Sequence, residues 1–136
     1  MRITVSTLVA APIDTVWAAY NDPEAIKVWN TASPDWHTTA SVVDLRVGGK
    51  FASRMEAKDG SFGFDFAGEY TKVEAPHLLE YRFGERTGVV EFADSTTGVT
   101  VTVTFDAENV YPEEQQRAGW QAILDSFARY VVAAKA

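Results

Sequence analysis

Cysteine is absent from the 136-residue sequence and histidine is scarce, which removes several classes of reactive site. Without cysteine the chain has no disulfide, no thiolate metal ligand and no thiol nucleophile. His37 and His77 lack the His-x-x-x-His spacing of a helical metal site, so we predict no metal centre and no cofactor. His37 is a candidate general base on chemical type alone. We assign no catalytic residue.

Positive charge is in the minority, with 12 Lys and Arg against 19 Asp and Glu and a formal net charge of −7. This balance leaves no surplus of cations to neutralise phosphates, so we predict no nucleic-acid partner. Long apolar runs are missing too, and no segment approaches the ~18 consecutive apolar residues of a membrane span. Met1 to Ala11 superficially resembles a signal peptide, but polar residues interrupt it and it alternates like a strand. We therefore expect a cytoplasmic protein without membrane insertion.

Alternation of apolar and polar residues with a period of two is the commonest pattern in the sequence. Hydrophobic residues make up 46% of the chain and aromatics 12%, which predicts a packed core, and we assign residues 1–136 to one domain. Turn signals at Gly48-Gly49, Asp59-Gly60 and Glu74-Ala75-Pro76 separate the alternating stretches. Residues 30–39 have loop composition. The pattern predicts seven strands, at 2–10, 41–47, 50–57, 62–73, 77–84, 87–94 and 99–105.

Helical spacing occurs at both ends of the chain. Trp120, Ile123, Leu124, Phe127, Val131 and Ala134 form an apolar stripe, which predicts one long amphipathic helix from Tyr111 to Ala136. A short helix from Pro12 to about Tyr20 and a second one capped by Asp22 follow the first strand. A helix with one apolar stripe must bury it against the sheet. The predicted fold is α+β, with a curved seven-stranded antiparallel sheet around the C-terminal helix.

Five short motifs, in the right order, resemble those of one superfamily. They are Ala11-Pro12 with Val16-Trp17, Asp22-Pro23 with Trp29, Asp44-Leu45-Arg46-Val47-Gly48-Gly49-Lys50-Phe51, Glu74-Ala75-Pro76 with Leu79, and Gly119-Trp120 with Leu124. Together they resemble the helix-grip fold of the START-like, birch-pollen-allergen-like superfamily (SRPBCC). The third motif is similar to a hairpin of the homologues of the Hsp-90 chaperone's ATPase activator, a polyketide cyclase-like group.

The resemblance implies a cavity that accommodates a ligand, without implying one chemistry. Relatives of this kind include lipid and hormone binders, aromatase/cyclases that act on polyketides, and the chaperone co-activator domain. The eukaryotic co-activators carry an additional N-terminal domain that contacts the chaperone. Because this sequence starts with the grip domain, we favour a small-molecule ligand over a chaperone partner. The superfamily supplies no universal catalytic residues.

The predicted inner face of the sheet, together with the helix stripe, supplies the candidate ligand-binding residues. Each candidate is chosen for one of three features: an apolar or aromatic side chain that faces the helix, a hydroxyl that could orient a ligand, or a position at the cavity mouth. The alternative is an ordinary closed core, since aromatics at strand parity usually fill one. The candidates are Trp36, Ser53, Met55, Phe64, Phe66, Tyr81, Phe92, Trp120, Leu124 and Phe127.

Three functions stay open at this point. The first is a protein that binds an apolar or aromatic small molecule between sheet and helix, and it is the one we favour. The second is a cyclase or dehydratase-like enzyme, for which Tyr81 and His37 are the available titratable groups. The third is an interaction module for a chaperone.

Asp65 and Glu69 share the face opposite Phe64 and Phe66, so we expect them in solvent, with Arg54 as a cross-strand partner.

Overall fold

The structure is a computed structural model that describes residues 1–135. Within these residues the chain forms seven strands and three helices. In chain order they are β1 (Arg2–Val9), α1 (Ile13–Asn21), α2 (Pro23–Trp29), β2 (Trp36–Val43), β3 (Lys50–Ala57), β4 (Gly63–Glu74), β5 (Leu78–Phe83), β6 (Arg86–Ser95), β7 (Gly98–Asp106) and α3 (Glu113–Lys135). The predicted C-terminal helix extended to Ala136, which lies outside the described residues.

The strands form one antiparallel sheet in the order β1-β7-β6-β5-β4-β3-β2. Strands β2 to β7 follow each other as a meander, and β1 joins the far edge by pairing with β7, with Ile3 opposite Phe105 and Val5 opposite Val103. Helices α1 and α2 carry the chain from one edge strand to the other. The α+β helix-grip fold predicted from the sequence is confirmed.

The sequence explains where the short helices begin and end. Asp22 caps α2, because its carboxylate accepts a hydrogen bond from the Glu24 backbone N–H at 3.1 Å, and Pro23 occupies the first turn. Trp29 is 6% exposed at the end of α2, and its indole N–H donates to the Ala19 carbonyl in α1 at 3.0 Å. The two helices are thereby joined into one cap over the end of the core.

The apolar stripe of α3 is buried along only part of its predicted length. Leu124, Phe127 and Val131 are 3%, 0% and 1% exposed, whereas Trp120 and Ile123 are partly buried. Ala134 is exposed, so the prediction that it belongs to the buried stripe is wrong. The packed part of the stripe ends at Val131, which leaves the last turn of α3 exposed at Ala134.

The second predicted strand is displaced. Strand β2 begins at Trp36 and ends at Val43, so the loop prediction for residues 30–39 is wrong from residue 36 onward, and the strand prediction is wrong for 44–47. The alternation continues past Val43, but local hydrogen bonds turn the chain there: the N–H of Asp44 donates to the Lys50 carbonyl and that of Gly49 to the Arg46 carbonyl. A side chain at Gly49 would overlap the Asp44 carbonyl, which is why glycine is needed.

Candidate ligand-binding cavity

A cavity of about 500 Å³ lies between the inner face of the sheet and α3. Pairing between β3 and β4 places Ser53 opposite Phe66 and Met55 opposite Phe64, so these side chains share the face that points toward the helix. Trp120 lies across the cavity on α3. The cavity reaches the surface, because Phe64 in its wall is 41% exposed.

The structure places eight of the ten predicted ligand residues in the cavity wall. They are Trp36, Ser53, Met55, Phe64, Phe66, Tyr81, Trp120 and Leu124. That these residues bind a ligand stays a prediction.

Phe92 and Phe127 do not line the cavity, so their predicted placement in the cavity wall is wrong. They are 2% and 0% exposed and belong to the closed core under the helical cap. Phe92 contacts Trp17 and Tyr20 at ring-centroid distances of 5.2 and 5.4 Å, and Phe127 contacts Trp29 at 4.9 Å. Strand parity gives the face on which Phe92 lies, and helical spacing gives that of Phe127, but neither pattern gives the distance of a residue from the capped end.

Aromatic rings in the wall pack against one another rather than filling the space. Trp120 stacks on Phe105 with centroids 4.1 Å apart and planes at 17°, and Phe66 meets the Trp120 ring edge-on at 5.7 Å. Phe51 and Tyr81 continue this arrangement at 5.2 Å. Each ring therefore has a neighbour that fixes its orientation, and the rings form a firm wall with free volume beside it.

The cavity mouth carries exposed aromatic side chains. Trp36, the first residue of β2, packs against Phe62 and Phe64 from the neighbouring hairpin, each with ring centroids 6.0 Å apart. Phe62 is 61% exposed, and Tyr111, which lines the cavity from the helix side, is 54% exposed. Large exposed aromatics at an opening are positioned to contact an apolar molecule that enters.

Polar side chains lie among the apolar ones in the cavity wall, and Tyr81 is one of the most buried of them. It is 5% exposed, and within residues 1–135 its hydroxyl has no hydrogen-bond partner. Its ring lies across Gly88 on β6, where an added Cβ would come within 2.6 Å of Cζ. The other predicted hydroxyl, that of Ser53, lies 3.3 Å from the Ser41 hydroxyl. Tyr81 is therefore the predicted hydroxyl that has most freedom to bond a ligand.

Burial holds the cavity tyrosines in their neutral form. Removal from water raises the pKa of Tyr81 and of Tyr20 well above the usual value, and it raises the pKa of Tyr70 to about 12. At neutral pH their hydroxyls are thus uncharged groups that can donate or accept one hydrogen bond.

Sequence reasoning missed a polar group of residues at the end of the cavity where β6 begins and β7 ends. Arg86 places its guanidinium carbon 4.4 Å over the Phe83 ring, and its Nη1 donates to the Asp106 carbonyl at 3.2 Å. Glu108 follows two residues later, and both Arg86 and Glu108 line the cavity. No sequence pattern identified either residue, because Arg86 is the first residue of β6 and Glu108 lies in the segment between β7 and α3.

The backbone of Glu108 is fixed by α3. Gln116 accepts a hydrogen bond from the Glu108 N–H at 3.0 Å and donates to its carbonyl at 3.2 Å. The side chain is not paired in this way: within the described residues its Oε1 is buried and has no hydrogen-bond partner. A buried oxygen of this kind is expected to need a donor.

The remaining titratable candidates lie outside the cavity. His37 and His77 are exposed, and His37 is paired with Glu56 across β2 and β3. Nη1 of Arg54 lies 3.5 Å from Oδ1 of Asp65, which confirms that predicted pair. The carboxylate of Glu69 pairs with Arg82 instead, with Oε2 3.8 Å from Nη2. Among residues 1–135 no three His, Asp or Glu side chains lie close enough together to hold a metal ion.

None of the helices in the described part of the chain is both long and apolar enough to cross a bilayer. Two solved structures share the fold and at least two fifths of the sequence of this chain. A solution structure of an AHSA1-like protein from Aeromonas hydrophila is 51% identical, with a TM-score of 0.93 over 99% of this chain and 94% of that one. A protein from Cytophaga hutchinsonii is 41% identical, with a TM-score of 0.84 over 98% and 94% of the two chains. No match was found among proteins of curated function.

A third solved structure, from Nitrosomonas europaea, is 21% identical and shares the fold, with a TM-score of 0.87 over 99% of this chain and 96% of that one. The model of one protein family, described as Activator of Hsp90 ATPase homolog 1-like protein, matches residues 10–132. That match covers nearly the whole chain and includes both short helices, the meander and most of α3. The chain therefore belongs to the family of Activator of Hsp90 ATPase homolog 1-like proteins, within the START-like helix-grip superfamily.

Proposed function

We propose that this protein binds a small apolar or aromatic molecule in the cavity between the sheet and α3. The observation that carries the proposal is a cavity of about 500 Å³ whose wall is built mainly from aromatic and aliphatic side chains. Pockets that hold small molecules have volumes of roughly 300–1,000 Å³ and a few placed polar groups. The cavity has both features.

Hydrophobic burial supplies the binding energy in this proposal. Covering about 200 Å² of apolar ligand surface at about 25 cal/mol per Å² contributes about 5 kcal/mol. Trp120 and Phe66 are already oriented by neighbouring rings, so little side-chain freedom is lost when a ligand packs against them. A ligand that fills the cavity therefore gains from a wall that is already ordered.

Gly119 gives a way to close the cavity without disturbing the wall. It lies in α3 and lines the cavity, and an added Cβ there would meet nothing within 4 Å. Gly119→Leu should place a side chain in the space a ligand would use, while Gly119→Ala, the matched control, adds only one carbon. Both substitutions favour the helix relative to glycine.

The test is two-dimensional amide NMR of the labelled protein with pooled lipids, flavonoid-like aromatics and polyketide mimics. Ligand binding should shift the indole resonances of Trp120 and Trp36, whereas Trp17, which packs on Phe92 outside the cavity, should shift least. Gly119→Leu should weaken binding at least tenfold and Gly119→Ala much less. If no pool shifts Trp120, or if a bound ligand is unaffected by Gly119→Leu, the proposal is wrong.

The same experiment addresses the other two functions predicted from the sequence. A cyclase-like enzyme would turn over a bound polyketide mimic, and Tyr81 is the one residue of its predicted pair that the cavity contains, since His37 is exposed. A chaperone-binding module predicts a filled cavity, which the volume found here does not favour. Stimulation of the host's Hsp-90-type ATPase by a protein that binds none of the pools would favour that module.

A further inference from the structure

The charged groups at the polar end of the cavity define what kind of ligand fits. Arg86 and Glu108 both line the cavity and both lie beside Asp106, one bonded to its carbonyl and the other two residues along the chain. Within the described residues neither forms an ion pair, with the other or with any third group. A cation and an anion therefore border the same space without neutralising each other directly.

Each group has bonding capacity left over. The Arg86 guanidinium has five N–H donors, of which one is used on the Asp106 carbonyl, and the Phe83 ring covers one of its faces. Glu108 has the opposite need, because its buried Oε1 lacks a donor among the described residues. A hydroxyl group satisfies both, since it donates one hydrogen bond and accepts others.

The charge balance favours a neutral ligand. Arg86 and Glu108 carry one charge of each sign, and burial raises the pKa of Tyr20, Tyr70 and Tyr81, which keeps these other residues of the cavity wall uncharged. A carboxylate would face Glu108 in a protein whose formal net charge is already −7. An ammonium group would face Arg86. In a site screened from water either repulsion weakens binding.

We infer that the ligand is a neutral apolar molecule with a hydroxyl at one end, which donates to Glu108 and accepts from Arg86 while its apolar body lies along Phe66 and Trp120. This inference rests on the proposed function and names its ligand class. It makes Glu108 and Arg86 the residues that determine specificity, and the aromatic wall the part that supplies affinity. A phenol or an alcohol on an aromatic or alicyclic body belongs to this class.

The experiment compares three probes with one body: 4-phenylphenol, 4-methoxybiphenyl and biphenyl-4-carboxylate. The methoxy compound keeps the acceptor oxygen but has no donor, and the carboxylate adds a negative charge. Dissociation constants are measured at neutral pH from the Trp120 indole resonance. The wild-type protein should bind the phenol about tenfold more tightly than either other probe, because a hydrogen bond to a charged group is at stake.

Glu108→Gln separates the specific role from a general one. In this variant the preference for phenol over methoxy compound should fall to threefold or less, and the carboxylate should bind more tightly than it does to the wild type. Glu91→Gln makes the same charge change at an exposed position outside the cavity, so it should leave all three constants unchanged.

The outcomes separate this inference from the proposed function. If all three probes shift Trp120 with equal constants, or if Glu108→Gln leaves the phenol preference intact, the assignment of the polar end is wrong while the cavity still binds apolar molecules. If none of the probes shifts Trp120, the inference is wrong, and the proposed function is overturned as well when the pooled ligands also leave Trp120 unshifted. Preference for the carboxylate in the wild type would show that Arg86 alone selects the ligand.

Discussion

Gly119 lines the cavity and Gly88 lies beneath the ring of Tyr81, and the two glycines have opposite steric surroundings. At Gly88, on the buried face of β6, an added Cβ would lie 2.6 Å from Cζ and 2.8 Å from the hydroxyl oxygen of Tyr81. At Gly119 the space around an added Cβ is open to 4 Å. Glycine is required at position 88 because the Tyr81 ring lies across it, whereas no neighbouring atom requires a glycine at position 119.

The two alanine substitutions should therefore change stability in opposite directions. Gly88→Ala forces Tyr81 to move within a packed wall, and overpacking of this kind lowers the free energy of unfolding by about 1–3 kcal/mol. Gly119→Ala removes a helix-interior glycine and should raise it by up to about 1 kcal/mol. Urea denaturation of both variants against the wild type measures the difference. Equal effects of the two substitutions would show that the Tyr81 ring does not occupy the space over Gly88.

At the scale of single elements, β2 is joined to the end of α2 by a partly buried hydrogen bond. The Thr38 hydroxyl, on a residue that is 6% exposed, donates to the Asn30 carbonyl at 2.7 Å. Asn30 is the C-terminal cap of α2, so this bond ties the helical cap to the edge strand beside Trp36. It therefore fixes one rim of the cavity mouth.

Thr38→Val keeps the shape of the side chain and removes the donor, which leaves the Asn30 carbonyl unpaired. The free energy of unfolding should fall by about 1–3 kcal/mol. Thr100→Val, at a partly exposed position of β7, is the matched control and should change it by less than about 0.5 kcal/mol. Hydrogen exchange should also speed up at Trp36 and its neighbours in Thr38→Val only. Unchanged exchange there would show that the bond does not anchor β2.

The displaced boundaries of β2 show what sequence patterns can and cannot give. Period-two alternation located the strands and helical spacing located α3, because both patterns reflect burial on one face. Alternation could not show that the chain turns at Asp44, since Leu45 and Val47 continue the pattern although they are 36% and 63% exposed. Backbone hydrogen bonds of the turn decide the end of the strand, and they leave no periodic signal.

The same limit applies to the cavity. Parity placed Phe66 and Tyr81 on the helix-facing side, and the structure puts both in the wall. Parity gives no depth along the strand, so it also included Phe92, which the helical cap buries. Glu108 was missed because its place depends on a side chain from α3 that binds its backbone, a contact between residues that no local pattern relates.

At the scale of the whole molecule, the order of the elements creates the cavity. Because β1 and β2 lie at opposite edges of the sheet, α1 and α2 must cross one end of the trough between sheet and α3. Their aromatic residues close that end, with Trp29 and Tyr20 packed on Phe127. The remaining length of the trough forms the cavity, and burial raises the pKa of Tyr20, Tyr70 and Tyr81 in its wall.

This shared burial predicts a loss of stability in alkali. Below the usual tyrosine pKa of about 10 the phenols are protonated in both the folded and the unfolded chain, so they add no pH dependence. Above it the unfolded chain releases protons that the folded chain keeps, since the pKa of Tyr70 is about 12 and those of Tyr20 and Tyr81 are also raised. The folded state then binds more protons than the unfolded one, and the free energy of unfolding falls as the pH rises.

The fall should amount to about 1.4 kcal/mol per tyrosine by about pH 11, or at most about 4 kcal/mol for Tyr20, Tyr70 and Tyr81 together. Urea denaturation between about pH 8 and pH 11 measures it. Tyr70→Phe should remove about one third of the pH dependence and leave the rest. If the wild type and Tyr70→Phe lose stability equally, Tyr70 is not held neutral by burial, and water reaches its hydroxyl in the folded protein.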